Sequence, residues 1–576
     1  MKTAKKLLSA ILLCTLPTVS TWAKDYLIST PKTSLLIRAN EGEKSLFQYY
    51  GVRIEESDVS SIYDAGLAEW EDSYSTFGIN SNGTKAIYVT HSDGNMSLEL
   101  VVKEVKQYST EQAEITEITL KDKVYPFVVK QYFKAYKSCD VISTWVDIIN
   151  EGKKAVMMYK FSSGEIPIIR ANNYISHLNG TWGAENILEE AAITSGIKTI
   201  TNTDGVRNTQ SDNPSVMITI NSEPREESGD VIGATLAWSG NYQIDIEAKN
   251  SSITLYAGIK SDNSYYKLEP KEVFTTPELA LTFSTEGKGG VSRAFHKWAR
   301  EYKLNQGDTE RDILLNSWEG VYFDVNQEGM DQMMEDISQM GGELFVMDDG
   351  WFGDKYPRND GSTSLGDWMV CTEKLPEGIE GLVNSANSHN IKFGIWIEPE
   401  MANTKSELFE KHPDWVLSQD NRPLSQGRGG TQVVLDMTNP EVQDFVFEIV
   451  DNLMTNHPQI AYIKWDANCS ILNYGSHYLS NDKQSHIYID YHRGLNSVLE
   501  RIRAKYPNLV MQACASGGGR MNYGLLPYFE EFWTSDNTDA LQRLYMQWGV
   551  SNYYPAIAMA SHVSADSNHQ TGRKLP

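Results

Sequence analysis

Four groups of carboxylates, each closing an apolar run, carry the chemistry of this sequence. They are Asp348-Asp349 after LFVM, Glu398 and Glu400 after IKFGIWI, Asp466 after AYIKW, and Asp536 with Asp539 after EFWTS. Two adjacent acids at the end of a buried strand repel each other and lose solvation, so they call for a partner or a ligand. One acid at a strand end is commonly a helix cap. Four groups in succession, interleaved with Trp318, Trp351, Trp396, Trp465 and Trp533, point to one acid-lined pocket with aromatic walls. Oxygen ligands of this kind could hold a hard cation. Lys464, however, sits two residues before Asp466 and shares its side of the strand. A lysine among the acids suits a neutral, hydroxyl-rich ligand, and paired carboxylates with aromatic walls suit cleavage of a glycosidic bond. No metal and no cofactor is expected.

The elements that must deliver these acids follow from periodicity. From about Lys24 to Thr285 short alternating strands are split by turns, as in Thr84–Val105, which predicts an antiparallel β-sandwich. Helical spacing in VSRAFHKWAREY predicts a linker helix. Beyond it apolar runs (DILLNSWEG, GELFVMDDG, IKFGIWIEPE, TQVVLDM, AYIKWDAN, LVMQACASGGG, PAIAMASH) alternate with amphipathic segments. Repeated βα units in this number predict a (β/α)8 barrel, whose strand C-termini open on one active face. A doubly wound sheet is the runner-up, but no glycine-rich phosphate loop follows the first strand. Asn439-Pro440 marks a helix N-cap and first turn. The expected organisation is a signal peptide over 1–23, the β domain over 24–290, a linker helix over 291–310 and the barrel over 311–576.

Composition narrows the partners. Lys2, Lys5 and Lys6 followed by the apolar run Leu7–Val19 and by Thr21-Trp22-Ala23 read as a secretory signal, giving a periplasmic or secreted protein. Leu12 and Leu13 before Cys14 are larger than a lipid-anchoring signal wants. Loss of the three lysines takes the formal net charge from -25 to -28, the wrong sign for nucleic acid or an anionic membrane. No apolar stretch is long enough for a membrane span. Cys139, Cys371, Cys469 and Cys514 are scattered and indicate neither a disulfide framework nor a zinc site. A homo-oligomer is allowed.

DDGWFG, GIWIEPEM, VVLDMTNPEV, KWDAN, CASGGGR, WTSDNTDA and SADSNHQTGR resemble the motifs of glycoside hydrolase family 36, the retaining α-galactosidases. LFQYYGVRI, HLNGTWGAE and WSGNYQIDIE resemble that family's N-terminal β-supersandwich. The resemblance implies Asp466 as nucleophile and Asp536 as general acid and base. It implies Asp348 and Asp349 as the grip on the galactose 4- and 6-hydroxyls, with Trp351 a wall beside them. It further implies Trp318, Trp396, Arg428, Lys464 and Asn468 as sugar contacts, and Cys514 with Gly517 as the reader of the 2-hydroxyl. Glu398 and Glu400 receive no catalytic role, and Trp182 either reaches the site or packs. The sequence departs from the family pattern after Arg428, where GRGGTQVVLD carries extra residues, and at Cys469 and Asn522. The family pattern continues past the HQTGR motif, so a C-terminal β domain and the end of the barrel are expected to be lacking. The implied activity is release of terminal α-linked galactose from oligosaccharides. The alternatives are an α-N-acetylgalactosaminidase, a galactosyl transferase, and an inactive truncated sugar-binding protein.

Overall fold

The computed structural model describes residues 24–78, 82–169, 172–249, 252–562, 564 and 567–574. The expected signal peptide, 1–23, lies outside the described residues. The N-terminal half is antiparallel β. A 10-stranded sheet and a 6-stranded sheet enclose a core rich in Ile, Val and Phe, with a smaller 4-stranded sheet alongside. Alternation builds them. Along Ile142–Asn150, Val146 and Ile148 point into the core, while Trp145 and Asp147 face the half-exposed side. There Trp145 stacks on its cross-strand neighbour Tyr132, with ring centroids 4.9 Å apart.

Helix α1, Gly287–Trp298, joins this half to the next and prolongs as a π turn over Ala299–Lys303. It packs so closely on the sandwich that a Cβ at Gly233 would lie 2.4 Å from Val291, and Trp298 stacks on Tyr523 at 4.8 Å.

The second half is a curled parallel sheet of seven strands among the described residues: β1 (Leu314–Asn316), β2 (Leu344–Met347), β3 (Lys392–Ile397), β4 (Ile460–Trp465), β5 (Val510–Ala513), β6 (Glu531–Trp533) and β7 (Met559–Ala560). They pair in that order, as the strands of a (β/α)8 barrel do, with helices α2 (Gln327–Gln339), α3 (Gly378–Ser388), α4 (Pro440–Asn456), α5 (Ile487–Lys505) and α6 (Ala540–Ser551) between them. Both faces of the sheet are covered, which is why β3 is apolar and buried from Phe393 to Ile397. Helix α4 starts as expected, with the Asn439 side chain accepting from the Glu441 N–H and Pro440 in the first turn.

One predicted strand falls elsewhere. In TQVVLDM, Gln432–Val434 pairs antiparallel with Met401–Asn403, outside the parallel sheet. Strand β3 pairs directly with β4, Trp396 opposite Lys464, so no place remains between them. The Glu398-Pro399-Glu400 segment carries the chain out of the sheet into this short ribbon. The missing turn of the count is taken by β6, whose three residues are too few to show a period.

Candidate active site

A cavity of about 1000 Å³ runs along the strands from Ile313, Lys392 and Val510 at their N-terminal ends to their C-terminal ends, where Asn316, Trp318, Asp348, Asp349, Trp396, Arg428, Lys464, Asp466, Asn468, Trp533 and Asp536 line it. Nine of the twelve predicted site residues line it. Trp351, Cys514 and Gly517 do not.

The Asp348-Asp349 pair resolves its repulsion by dividing two cations. Asp348 Oδ2 accepts from Lys464 Nζ at 2.8 Å and from Asn316 Nδ2 at 2.6 Å. Asp349 takes a bidentate bond from Arg358, with Nε and Nη2 at 2.9 and 2.8 Å. Arg358 is fully buried and also donates to Thr363 O and Asn403 Oδ1. Burial disfavours the Lys464 ammonium, but Asp348 and Asp466 outweigh it and hold its pKa above the ordinary lysine value.

Asp466 leaves the end of β4, buried, with donors converging on both oxygens. Oδ2 accepts from Trp396 Nε1 at 3.2 Å and Asn468 Nδ2 at 2.8 Å, and Oδ1 from the Ala467 N–H at 2.8 Å. Burial alone would raise this carboxyl. Lys464 and Arg428, with hydrogen bonds from Asn468 and Cys514, outweigh burial and keep it below the ordinary aspartate value. Asp466 is therefore an anion at neutral pH, buried and aimed at the cavity.

Asp536 is half-buried on the turn after β6. Its oxygens accept from two indoles, Trp533 Nε1 at 3.0 Å and Trp182 Nε1 at 2.9 Å. Trp182 is 53% exposed and belongs to the hairpin turn between Tyr174–Thr181 and Ala184–Ala192, so the sandwich half supplies part of the site. Among the described residues no Lys, Arg or His lies within 4.0 Å of the Asp536 carboxylate.

The sandwich also fastens the loop after β5. Thr209 Oγ1 donates to Gly518 O at 2.7 Å, Thr209 N to Gly519 O at 2.9 Å, and Gln210 Nε2 to Ser516 O at 3.2 Å. Gly517 has φ +83°, and a Cβ there would lie 2.6 Å from Glu185 Oε1 and 2.7 Å from Asp536 N, so only glycine fits. Cys514 and Gly517 thus act from behind the cavity wall. Cys514 interacts with Asp466, and Gly517 lets the loop close against Asp536.

Trp351 is the clearest correction. It is fully buried, its Nε1 donates to Trp396 O at 3.0 Å, and it packs on Phe352 and Trp368. The glycine before it, at φ +123°, turns the chain inward, so the indole lies under the floor and not in the wall. Two buried arginines answer the acids: Arg358, which sequence reasoning missed, for Asp349, and Arg520, which closes the CASGGGR motif and was expected either to serve the site or to stabilise a loop, and which grips Glu400 at 2.7 and 2.8 Å. Their signal was charge balance, since each buried acid needs a cation. Among the described residues no cluster of three or more His, Cys, Asp or Glu side chains is arranged to hold a metal ion.

A curled parallel sheet with two unequal carboxylates in one cavity lined by acids and indoles has the form of a glycosidase-type site. The Melibiase family profile matches residues 273–576, and that of the glycosyl hydrolase family 36 N-terminal domain matches 43–269. The chain belongs to glycoside hydrolase family 36. It is 36% identical over 496 residues to α-galactosidase AgaA of Geobacillus stearothermophilus, covering 85% of this chain and 64% of that protein. To α-galactosidase Mel36A of Lactobacillus acidophilus it is 33% identical over 521 residues, covering 87% and 70%. The crystal structure of AgaA superposes with a TM-score of 0.89 at 31% identity, covering 96% of this chain and 81% of that one. A variant of AgaA was solved in complex with raffinose. The chain spans 64% of AgaA and 59% of α-galactosidase C of Emericella nidulans, the first curated relatives it matches.

Proposed function

We propose that this chain is an α-galactosidase, releasing terminal non-reducing α-linked galactose from raffinose-type oligosaccharides with retention, in the periplasm or outside the cell. The observation that carries the reading is the asymmetry of two acids on one cavity. Asp466 is held ionised by Lys464 and Arg428, while Asp536 is held only by neutral indole N–H groups. Retaining glycoside hydrolysis asks for that pair.

In the first step an Asp466 carboxylate oxygen bonds to the anomeric carbon as the glycosidic C–O bond breaks. The Asp536 proton passes to the departing oxygen. In the second step Asp536, now an anion, takes a proton from water. The water oxygen bonds to the anomeric carbon and the bond to Asp466 breaks, restoring both carboxyls. Asp348, polarised by Lys464, accepts from the sugar hydroxyls, as does Asp349 through lone pairs not used by Arg358. A sugar unable to donate there would leave buried acceptors unpaired, which rejects it strongly.

The test is the initial rate on aryl α-glycosides of galactose, N-acetylgalactosamine and glucose, with Asp466→Ala alongside and NMR of the first-formed anomer. Release from the galactoside as the α-anomer, abolished in Asp466→Ala, is expected. Release that survives Asp466→Ala, or a β-product, overturns the proposal.

A further inference from the structure

Arg543, in the first turn of α6, is 2% exposed, yet among the described residues no carboxylate lies within 4.0 Å of its guanidinium. A buried cation without a counter-ion is costly and needs strong compensation. Here the compensation comes from the turn that carries Asp536. Arg543 Nε donates to Asn537 O at 2.8 Å, Nη2 to Ser535 O at 2.9 Å, and Nη1 to Thr534 Oγ1 and, at 3.4 Å, to Ala560 O. The guanidinium also lies 4.7 Å from the ring centre of Trp533, the indole that donates to Asp536. It therefore grips the backbone on both sides of Asp536 and the side chain that aims it.

We propose that Arg543 is a positioning residue for the general acid and base, fixing the Thr534–Asn537 turn and supplying the positive charge that steadies Asp536 when it is ionised between the two steps. This rests on the role proposed above for Asp536. The planar five-donor fork is what lets one side chain reach residues 534, 535 and 537 at once, and a lysine cannot copy it. The arrangement also differs from the one at Asp466. A cation in contact would hold Asp536 permanently ionised and unable to donate a proton. A cation one turn of backbone away lowers the cost of the anion without abolishing the acid. The other charged or titratable groups whose fields reach Asp536 or Arg543 are Glu185 from the sandwich, Glu319, Arg428, Cys514 and His562. Burial lowers the Arg543 pKa to about 10, so the guanidinium remains charged at neutral pH.

The test compares Arg543→Met and Arg543→Lys with Asp536→Ala in the full chain. Two substrates are used, an activated aryl α-galactoside that leaves without a proton and raffinose, which needs one. For Arg543→Met, kcat/KM on raffinose should fall at least about tenfold further than on the aryl substrate. The basic limb of its pH profile should move to higher pH, and azide should restore turnover of the aryl substrate. Arg543→Lys, keeping charge but not the fork, should fall between. A crystal structure of Arg543→Met supplies a readout free of activity, with the 534–537 turn displaced and at least one indole bond to Asp536 lost. Equal losses on both substrates with an unmoved basic limb, or a turn and indole bonds unchanged in the variant, overturn the proposal. If Asp536→Ala itself lacks leaving-group selectivity and azide rescue, the role of Asp536 fails first, and that of Arg543 with it.

Discussion

The acid pairs at the ends of β2 and β3 look alike in sequence and do different work. In each, one acid is clamped by a buried arginine: Asp349 by Arg358, Glu400 by Arg520. In each, the other acid meets a cation that lines the cavity: Asp348 meets Lys464 at 2.8 Å, Glu398 meets Arg428 at 3.5 Å. The β2 acids line the cavity, and the β3 acids, both fully buried, do not. Glu398 instead accepts from Gln432 Nε2 at 3.1 Å and from the Asn468 N–H, and Asn468 in turn holds Asp466. Under the proposed function the β2 end reads the sugar, and the β3 end holds the carboxylate that attacks it. What separates them is reach: Asp is short and stays at the rim where β2 ends, while the Glu-Pro-Glu segment turns its longer acids back under β4.

The largest effect should come from the end that reads the ligand. Asp348→Asn keeps shape but removes the charge that accepts from hydroxyls. With charged hydrogen bonds worth about 1.5–3 kcal/mol each, two of them lost should lower kcat/KM on an α-galactoside on the order of 10³-fold. Steady-state kinetics beside a denaturation curve checks it. A loss below about tenfold would place Asp348 with the supporting acids and erase the contrast.

The supporting end should show itself through pH and stability. Burial first, and Asp466 after Arg428 has opposed it, raises the Glu398 carboxyl from 4.5 to about 7. Between those values the folded protein binds a proton that the unfolded chain does not, so this group's contribution falls as pH rises from about 4.5 to about 7 and is flat above. The amount is about 3 kcal/mol. Glu398→Gln should remove the dependence, so the wild type loses stability relative to the variant across that window. Denaturant midpoints at several pH values measure it, and parallel curves would mean that Glu398 ionises freely and has no such supporting part.

Much of this was legible in the sequence, and the reasons are physical. A period of two gave the sandwich, alternating βα units gave the barrel, and a barrel fixes where strand-end acids must meet. Residues whose placement depends on the backbone between elements were harder. TQVVLDM has the composition of a barrel strand, and only the direct pairing of β3 with β4 excludes it. Arg358, Arg520 and Arg543 sit on loops and a helix with no period to mark them, and their partners lie 9, 120 and 6–17 residues away in the chain. Trp182 reaches Asp536 across 354 residues, a contact that no local pattern encodes.

The smallest effect concerns the floor under both acid pairs. The family resemblance implies Trp351, two residues after Asp349, as a sugar-facing wall, yet it is fully buried and bonds to the backbone of Trp396. Trp351→Phe keeps an aromatic ring and removes the indole N–H, leaving Trp396 O short of a donor. The expected cost is about 1–3 kcal/mol of stability, with KM for an α-galactoside essentially unchanged. Trp396, whose ring lies 6.2 Å from that of Phe352 and whose Nε1 holds Asp466, supplies the contrast, since its indole is in the cavity wall. A several-fold rise in KM for Trp351→Phe with unaltered stability would return Trp351 to the wall and mean that the β2 end reads its ligand with a ring as well as with two charges.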